Sequence, residues 1–318
     1  MHYFGRQVKR ISLLPNLVTL ANATCGLLAI SKAIDALAVS DHGPVIFYAK
    51  MHTACSLIFL AMVFDAMDGK LARMTKTASD FGAQLDSFSD LITFGVAPAL
   101  LAKVLIEHEG AVLGYSGSPR LHFMAAAAFA LMALLRLARF NLETDTDEKS
   151  HAEFSGLPSP AAAGALISTM WLYLILRRPE LEVNEGTRTP LGHLMGWMED
   201  IDWTPMLSFL PIVLTSLLIV LGLLMVSRVR YSHLVSNLTG ERSQFVTLVM
   251  IVFVLFLLFL APVPALFLVF NGFWIYGLSR SLLNRRRSVA VDADGSVVHD
   301  EGEVMPRAIE KIGLAITP

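Results

Sequence analysis

The chain has 318 residues, of which 54% are hydrophobic and only 16% charged, and its mean hydropathy is +0.58. Soluble domains carry about a quarter charged residues, so this balance excludes an ordinary water-soluble domain and indicates a polytopic membrane protein. A net charge of −2 supplies no basic field for nucleic acid, and two cysteines inside apolar segments, Cys25 and Cys55, make no disulfide framework and read as packing residues.

In chain order, residues 1–14 carry Arg6, Lys9 and Arg10 ahead of an apolar run and read as a juxtamembrane segment, an amphipathic helix on the membrane surface. No small-residue cleavage site ends the run that follows, so it reads as a first span and not a removed signal. A span needs roughly 20 apolar residues. Eight stretches meet or approach that length, at roughly 15–34, 52–72, 84–106, 121–141, 158–177, 206–227, 245–261 and 263–283. The sequence is therefore expected to form an all-α transmembrane bundle.

Lysine and arginine gather in alternate connections: Lys70, Arg73 and Lys76, then Arg136, Arg139 and Lys149, then Arg228, Arg230 and Arg242, then Arg280 and Arg285 to Arg287. Such excess marks the cytoplasmic side, and eight spans with both termini inside satisfy it. Residues 15–227 read as the main membrane domain, 228–283 as a loop with two additional spans, and 284–318 as a polar, disordered cytoplasmic tail.

Chemistry concentrates in DAMDGKLARMTKTASDFGAQLDSFSD, residues 65–90. At about 100° per residue, Asp65, Asp68, Gly69 and Ala72 share one face of the second span. Gly82, Asp86 and Asp90 share one face of the third. A hairpin from Met74 to Phe81 folds the two faces together, and Asp80, outside the spacing, reads as a hairpin or capping residue. Four carboxylates so placed repel one another and call for hard divalent cations, which favour all-oxygen sites and leave room for phosphate oxygens. Gly69 and Ala72 clear space for a large ligand, and Arg73 offers a planar fork for phosphate. Arg136, Arg139 and Asn141 fall at the same end of the fourth span, where the arginines either grip an anionic group bidentately or stand as topology charges snorkelling to lipid headgroups. Intramembrane carboxylates also mark ion pathways, so an ion or solute transporter is the competing reading.

The spacing Asp65-x2-Asp68-Gly69-x2-Ala72-Arg73-x8-Gly82-x3-Asp86-x3-Asp90 resembles the signature of the CDP-alcohol phosphotransferases at every fixed position. PNLVTLANATCGLLAI (15–30), ASDFGAQLDSFSDLITFGVAPALL (78–101), LRLARFN (135–141), FSGLPSPAAA (154–163) and LMVSRVRY (224–231) resemble its bacterial and archaeal phosphatidylserine synthase branch. The resemblance implies transfer of a phosphatidyl group from CDP-diacylglycerol to L-serine with release of CMP. It implies Mg²⁺ or Mn²⁺, two ions, held by Asp65, Asp68, Asp86 and Asp90, with Asp90 also the general base. It implies contact of Gly69, Arg73 and Ser79 with the CDP moiety, and places Asn16 and Thr19 at the border of the nucleotide pocket. A homodimer in a bacterial or archaeal membrane, with its active site facing the cytoplasm, is implied as well. Within the family, glycerol 3-phosphate or inositol phosphate remain alternative acceptors.

Overall fold

The structure is a computed structural model, and it describes residues 13–39, 44–75, 80–114, 118–146, 156–177, 207–227, 229 and 256–288. The described residues contain no strand. They form α1 (Leu13–Ala38), α2 (Pro44–Thr75), α3 (Asp80–Asp90), a π-helical stretch (Leu91–Val96), α4 (Ala97–Val112), α5 (Pro119–Thr146), α6 (Ser159–Arg177), α7 (Leu210–Val226) and α8 (Pro262–Ser288). Met1–Gly277 make one compact unit. The second unit, Leu278–Pro318, is described only over 278–288, the C-terminal turns of α8.

Among the described residues, six helical runs are long and apolar enough to cross a membrane: Leu13–Ala38, Val45–Leu71, Phe81–Val112, Pro119–Leu142, Ser159–Arg177 and Pro262–Ser281. The all-α membrane architecture expected from composition is thus the observed one. α7 is apolar but only 17 residues long. The seventh predicted span, 245–261, lies outside the described residues except for a helical turn at 256–260. The predicted amphipathic segment before Leu13 and the tail beyond Ser288 also lie outside them. The second span begins at Pro44, eight residues ahead of the predicted start. Its opening turns bury Phe47 and the polar-tipped Tyr48, which a hydropathy window undervalues.

α1 and α2 form the most extensive helix pair. The residues buried along them include many small ones: Ala29, Ala33 and Ala36 on α1, Ala54, Cys55 and Ala61 on α2. Within lipid, where tails are as apolar as leucine, close backbone approach and the dispersion it allows hold helices together. Both cysteines are buried and free, as packing residues. A similar approach brings α1 against the π stretch, where a Cβ on Gly26 would lie 2.6 Å from Thr93 Oγ1.

The third span is one helical run from Asp80 to Val112, widened just after Asp90. There Ala97 N–H bonds the Ile92 carbonyl, five residues back. Pro98 accounts for the widening. Its ring lacks an N–H and clashes with the carbonyl four residues earlier, and a π turn removes the clash.

α6 and α7 are antiparallel. Gly156 N–H bonds the Val229 carbonyl (2.9 Å) and Leu157 N–H the Leu224 carbonyl (3.0 Å), so the segment entering α6 satisfies a terminal carbonyl of α7. Gly156 has φ +93°, and a Cβ there would strike the Met225 carbonyl. This is why glycine occupies the position. α8 docks on α6 through Asn271. Its amide donates toward the Ala165 carbonyl (3.3 Å), Ser168 Oγ (3.3 Å) and Thr169 Oγ1 (3.2 Å), and its Oδ1 accepts from Trp274 Nε1 (3.0 Å).

The bundle has polar clusters at both ends. At one end is the aspartate run. At the other, Glu109 is fully buried and accepts from Tyr48 Oη (2.6 Å) and Tyr173 Oη (2.5 Å). Arg177 Nε lies 3.7 Å from Glu109, and His108 Nδ1 lies 3.5 Å away while its ring stacks on Phe47. α2, α4 and α6 are joined there through one carboxylate.

Candidate active site

α2 and α3 bring the four aspartates together, as the two matched faces require. One carboxylate oxygen from each of Asp65, Asp68 and Asp86 lies within 4.8 Å of the others. Asp90 is within hydrogen-bond reach of Asp65 and close to Asp86. Two carboxylates approach so closely only with a cation or a shared proton between them. Asp68 is 5% exposed. Among the described residues, Asp68 Oδ2, Asp86 Oδ1 and Asp90 Oδ1 are buried without a hydrogen-bond partner. Buried polar atoms are normally paired, and three converging, acceptor-only oxygens lack a donor or a cation. The set is all oxygen, which fits a hard divalent ion better than a thiolate- or imidazole-seeking one.

α1 supplies the opposite wall. Asn16 and Thr19 are buried on its inner face. The Thr19 hydroxyl reaches the Asp68 carboxylate and also bonds the Pro15 carbonyl (3.1 Å). Ser89 Oγ donates to the Thr19 carbonyl (3.1 Å), tying α3 to α1 beside the acidic cluster. A Cβ on Gly69 would meet nothing within 4 Å, so that side of α2 is open, as a bulky ligand needs. Arg73 lies on the last turns of α2, but its side chain is outside the described residues, as is Ser79. Asp80 is the first residue of α3, and its side chain is likewise outside the described residues.

α5 brings Arg136 to the cluster. The guanidinium is close enough to Asp90 for a direct electrostatic interaction, and its Nη1 donates to Ser159 Oγ (3.0 Å). Arg136 Nε is buried and has no partner among the described residues. A site-facing donor is therefore held in place and still has capacity for a ligand. Asn141 is a partner of Ser87, with Asn141 Nδ2 donating to Ser87 Oγ (3.1 Å). Arg139 sits on the same stretch of α5, half-buried. The structure thus ties Asn141 to α3 and Arg136 to Asp90.

Ser159, in the FSGLPSPAAA stretch, opens α6, and its hydroxyl steadies Arg136. Two further residues escaped the sequence reading. Ser87 lies within the aspartate run but off its spacing. Asn22 is fully buried on α1, and neither atom of its side-chain amide has a partner among the described residues. The available signal was its spacing: Asn16, Thr19 and Asn22 recur every three residues, three polar side chains on one face of an apolar span.

A multi-pass helical membrane protein with a converging all-oxygen acidic site at one end is the class that fold and site define. A family profile for CDP-alcohol phosphatidyltransferases matches residues 12–199, more than half of the chain and every element that builds the site. The chain belongs to the CDP-alcohol phosphatidyltransferase family. It is 29% identical over 278 residues to the CDP-diacylglycerol–serine O-phosphatidyltransferase of Helicobacter pylori, covering 86% of this chain and 93% of that one. It is 33% identical over 160 residues to the enzyme of the same name from Bacillus subtilis, covering 50% and 76%. An archaetidylserine synthase of Methanothermobacter thermautotrophicus is 35% identical over 161 residues, covering 50% and 58%.

Proposed function

We propose that the chain transfers the phosphatidyl group of CDP-diacylglycerol to the hydroxyl of L-serine, giving phosphatidylserine and CMP. The observation that carries the reading is the convergence of Asp65, Asp68, Asp86 and Asp90 with unpartnered oxygens, in a member of this family. The names of the similar enzymes support serine as acceptor.

Each residue has a definable task. Asp65, Asp68, Asp86 and Asp90 would hold divalent ions, Mg²⁺ or Mn²⁺, two of them on the family pattern. When bound, the ions neutralise the donor's diphosphate and stabilise charge on the oxygens of the displacement. Asp90, beside the cluster and next to Arg136, accepts the serine hydroxyl proton as the new P–O bond forms and the bond to CMP breaks. Arg136 grips the serine carboxylate with its planar fork, and Ser159 keeps that fork aimed. Arg139 and the Ser87–Asn141 pair border the same end of α5 and complete the acceptor side. Asn16, Thr19, Gly69, Arg73 and Ser79 line the nucleotide side, with the open flank of Gly69 giving the donor room. The lysine and arginine distribution supports a cytoplasmic site with both termini inside. A homodimer is the assembly the family resemblance suggests.

The test uses membranes containing the chain, CDP-diacylglycerol, Mg²⁺ or Mn²⁺, and labelled serine, glycerol 3-phosphate or inositol phosphate. Expected is CMP release with label entering lipid from serine. No CMP with any acceptor would sink the transferase reading, and label from glycerol 3-phosphate alone would reassign the acceptor.

A further inference from the structure

Asn22 is 0% exposed, on the face of α1 that carries Asn16 and Thr19, and both its Nδ2 and its Oδ1 lack partners among the described residues. A buried amide left so is destabilising, and native structures rarely tolerate it without a ligand or a water. Helix packing does not account for it. Asn271 shows what an amide used for packing looks like in this protein, with its nitrogen and oxygen both engaged across α6 and α8.

The helix register gives Asn22 a location. α1 and α2 are antiparallel, with Thr19 facing Asp68 near one end and Asp35 Oδ2 3.7 Å from Lys50 Nζ near the other. Three residues further along α1 match three residues back along α2, so Asn22 is level with Asp65. That is about 4.5 Å deeper than Thr19. α1 runs parallel to the third span. Ser89 bonds the Thr19 carbonyl and Thr93 Oγ1 bonds the Asn22 carbonyl (3.3 Å), so Asn22 is flanked by Asp90 and Thr93. Below it the close approach of Gly26 and Thr93 seals the interior. The layer holding Asn22 and Asp65 therefore has the Gly26–Thr93 contact on its deep side and Asp90, which meets Asp65, above it.

We propose that Asn22 belongs to the metal centre, its amide holding a water of the divalent ion's shell at the deep end of the aspartate cluster. The inference rests on the reading of the four aspartates as a metal site. Small hard cations dehydrate reluctantly and keep several waters, which need fixed acceptors. An amide suits a water because it accepts at Oδ1 and donates at Nδ2. Residues that hold such waters orient the centre, and losing one costs roughly 10–100-fold in metal affinity.

The experiment titrates Mn²⁺ alone into the purified full chain in lipid nanodiscs, with free ion read by electron paramagnetic resonance and bound water by proton relaxation. Asn22→Leu is expected to melt at or above the wild-type temperature without metal, because a buried unpaired amide is gone. It is expected to bind Mn²⁺ about tenfold more weakly, with fewer relaxing waters. Asn22→Asp, which restores an acceptor, is expected to recover the affinity. Unchanged Mn²⁺ affinity in Asn22→Leu would overturn the proposal, as would a lower metal-free melting temperature, which assigns Asn22 to packing. If Asn22→Leu does not fold, Asn22→Ala carries the same comparison, and failure of both to fold again means packing. A wild-type chain that binds no Mn²⁺ would instead remove the metal reading of the aspartates themselves.

Discussion

The two ends of this bundle solve the problem of a buried carboxylate in opposite ways. At the Glu109 end one carboxylate accepts from two tyrosines, with an arginine at 3.7 Å. At the aspartate end four carboxylates crowd together with oxygens that nothing described in the protein satisfies. Burying a charge is costly unless it is paired. The Glu109 carboxylate finds its partners within the protein, although His108 Nδ1 and Arg177 Nε beside it lack a hydrogen-bond partner among the described residues, whereas three of the aspartate oxygens find none there. Satisfaction of the carboxylates, not charge count, separates the one that joins three helices from the four that the proposed function uses.

Substitutions at the two ends should fail differently. The largest expected effect is Asp90→Asn, which should cut CMP release by about 10³-fold, in the range of lost general-base catalysis, while the folded chain still binds CDP-diacylglycerol. Retained turnover would remove Asp90 as base. Next, Glu109→Leu leaves two tyrosine hydroxyls and Arg177 without their acceptor and should cost about 3 kcal/mol of stability, read as a lower melting temperature in detergent. Mn²⁺ affinity at the aspartates should stay unchanged. Weakened metal binding in a folded variant would break the division of labour between the ends.

A smaller effect belongs to Arg136→Ala. Loss of a charged hydrogen-bond partner should raise the KM for serine by about 10–100-fold and leave the donor KM near wild type. A donor effect of equal size would move Arg136 to the nucleotide side. The smallest is Ser159→Ala. Loss of one hydrogen bond, about 1 kcal/mol, should raise the serine KM about fivefold, without a further increase when combined with Arg136→Ala. Independent, additive effects would show that Ser159 does not act through Arg136.

The aspartate end was largely legible in the sequence, and the Glu109 end was not. Asp65, Asp68, Asp86 and Asp90 lie within 26 residues on two adjoining spans, so helical period alone places them on matched faces. Glu109 lies in IEHEG (106–110), just past the predicted end of a span, where a carboxylate is ordinarily solvated. Its partners Tyr48 and Tyr173 are 61 and 64 residues away, beyond the reach of any local pattern. Arg136 was legible as a positive charge at the correct end but not as a held one, because Ser159 is 23 residues on and across a connection. The π turn after Asp90 has a local cause in Pro98, yet hydropathy runs through it without a break. Spans came out of average apolarity, whereas polar contacts inside them depend on which helices become neighbours.

The docking of α8 on α6 has a consequence for biosynthesis. Thr169 and Asn271 are 102 residues apart in the chain. At about 5–20 residues per second, α6 is made on the order of ten seconds before its polar partner emerges. For that interval the Ser168 and Thr169 hydroxyls bond the carbonyl of Ala165 on their own helix, at 3.2 and 2.8 Å. The oxygens stay available as acceptors while their protons are engaged within the helix. α6 can thus wait in the bilayer without an unsatisfied donor on this face and still receive the late-arriving asparagine.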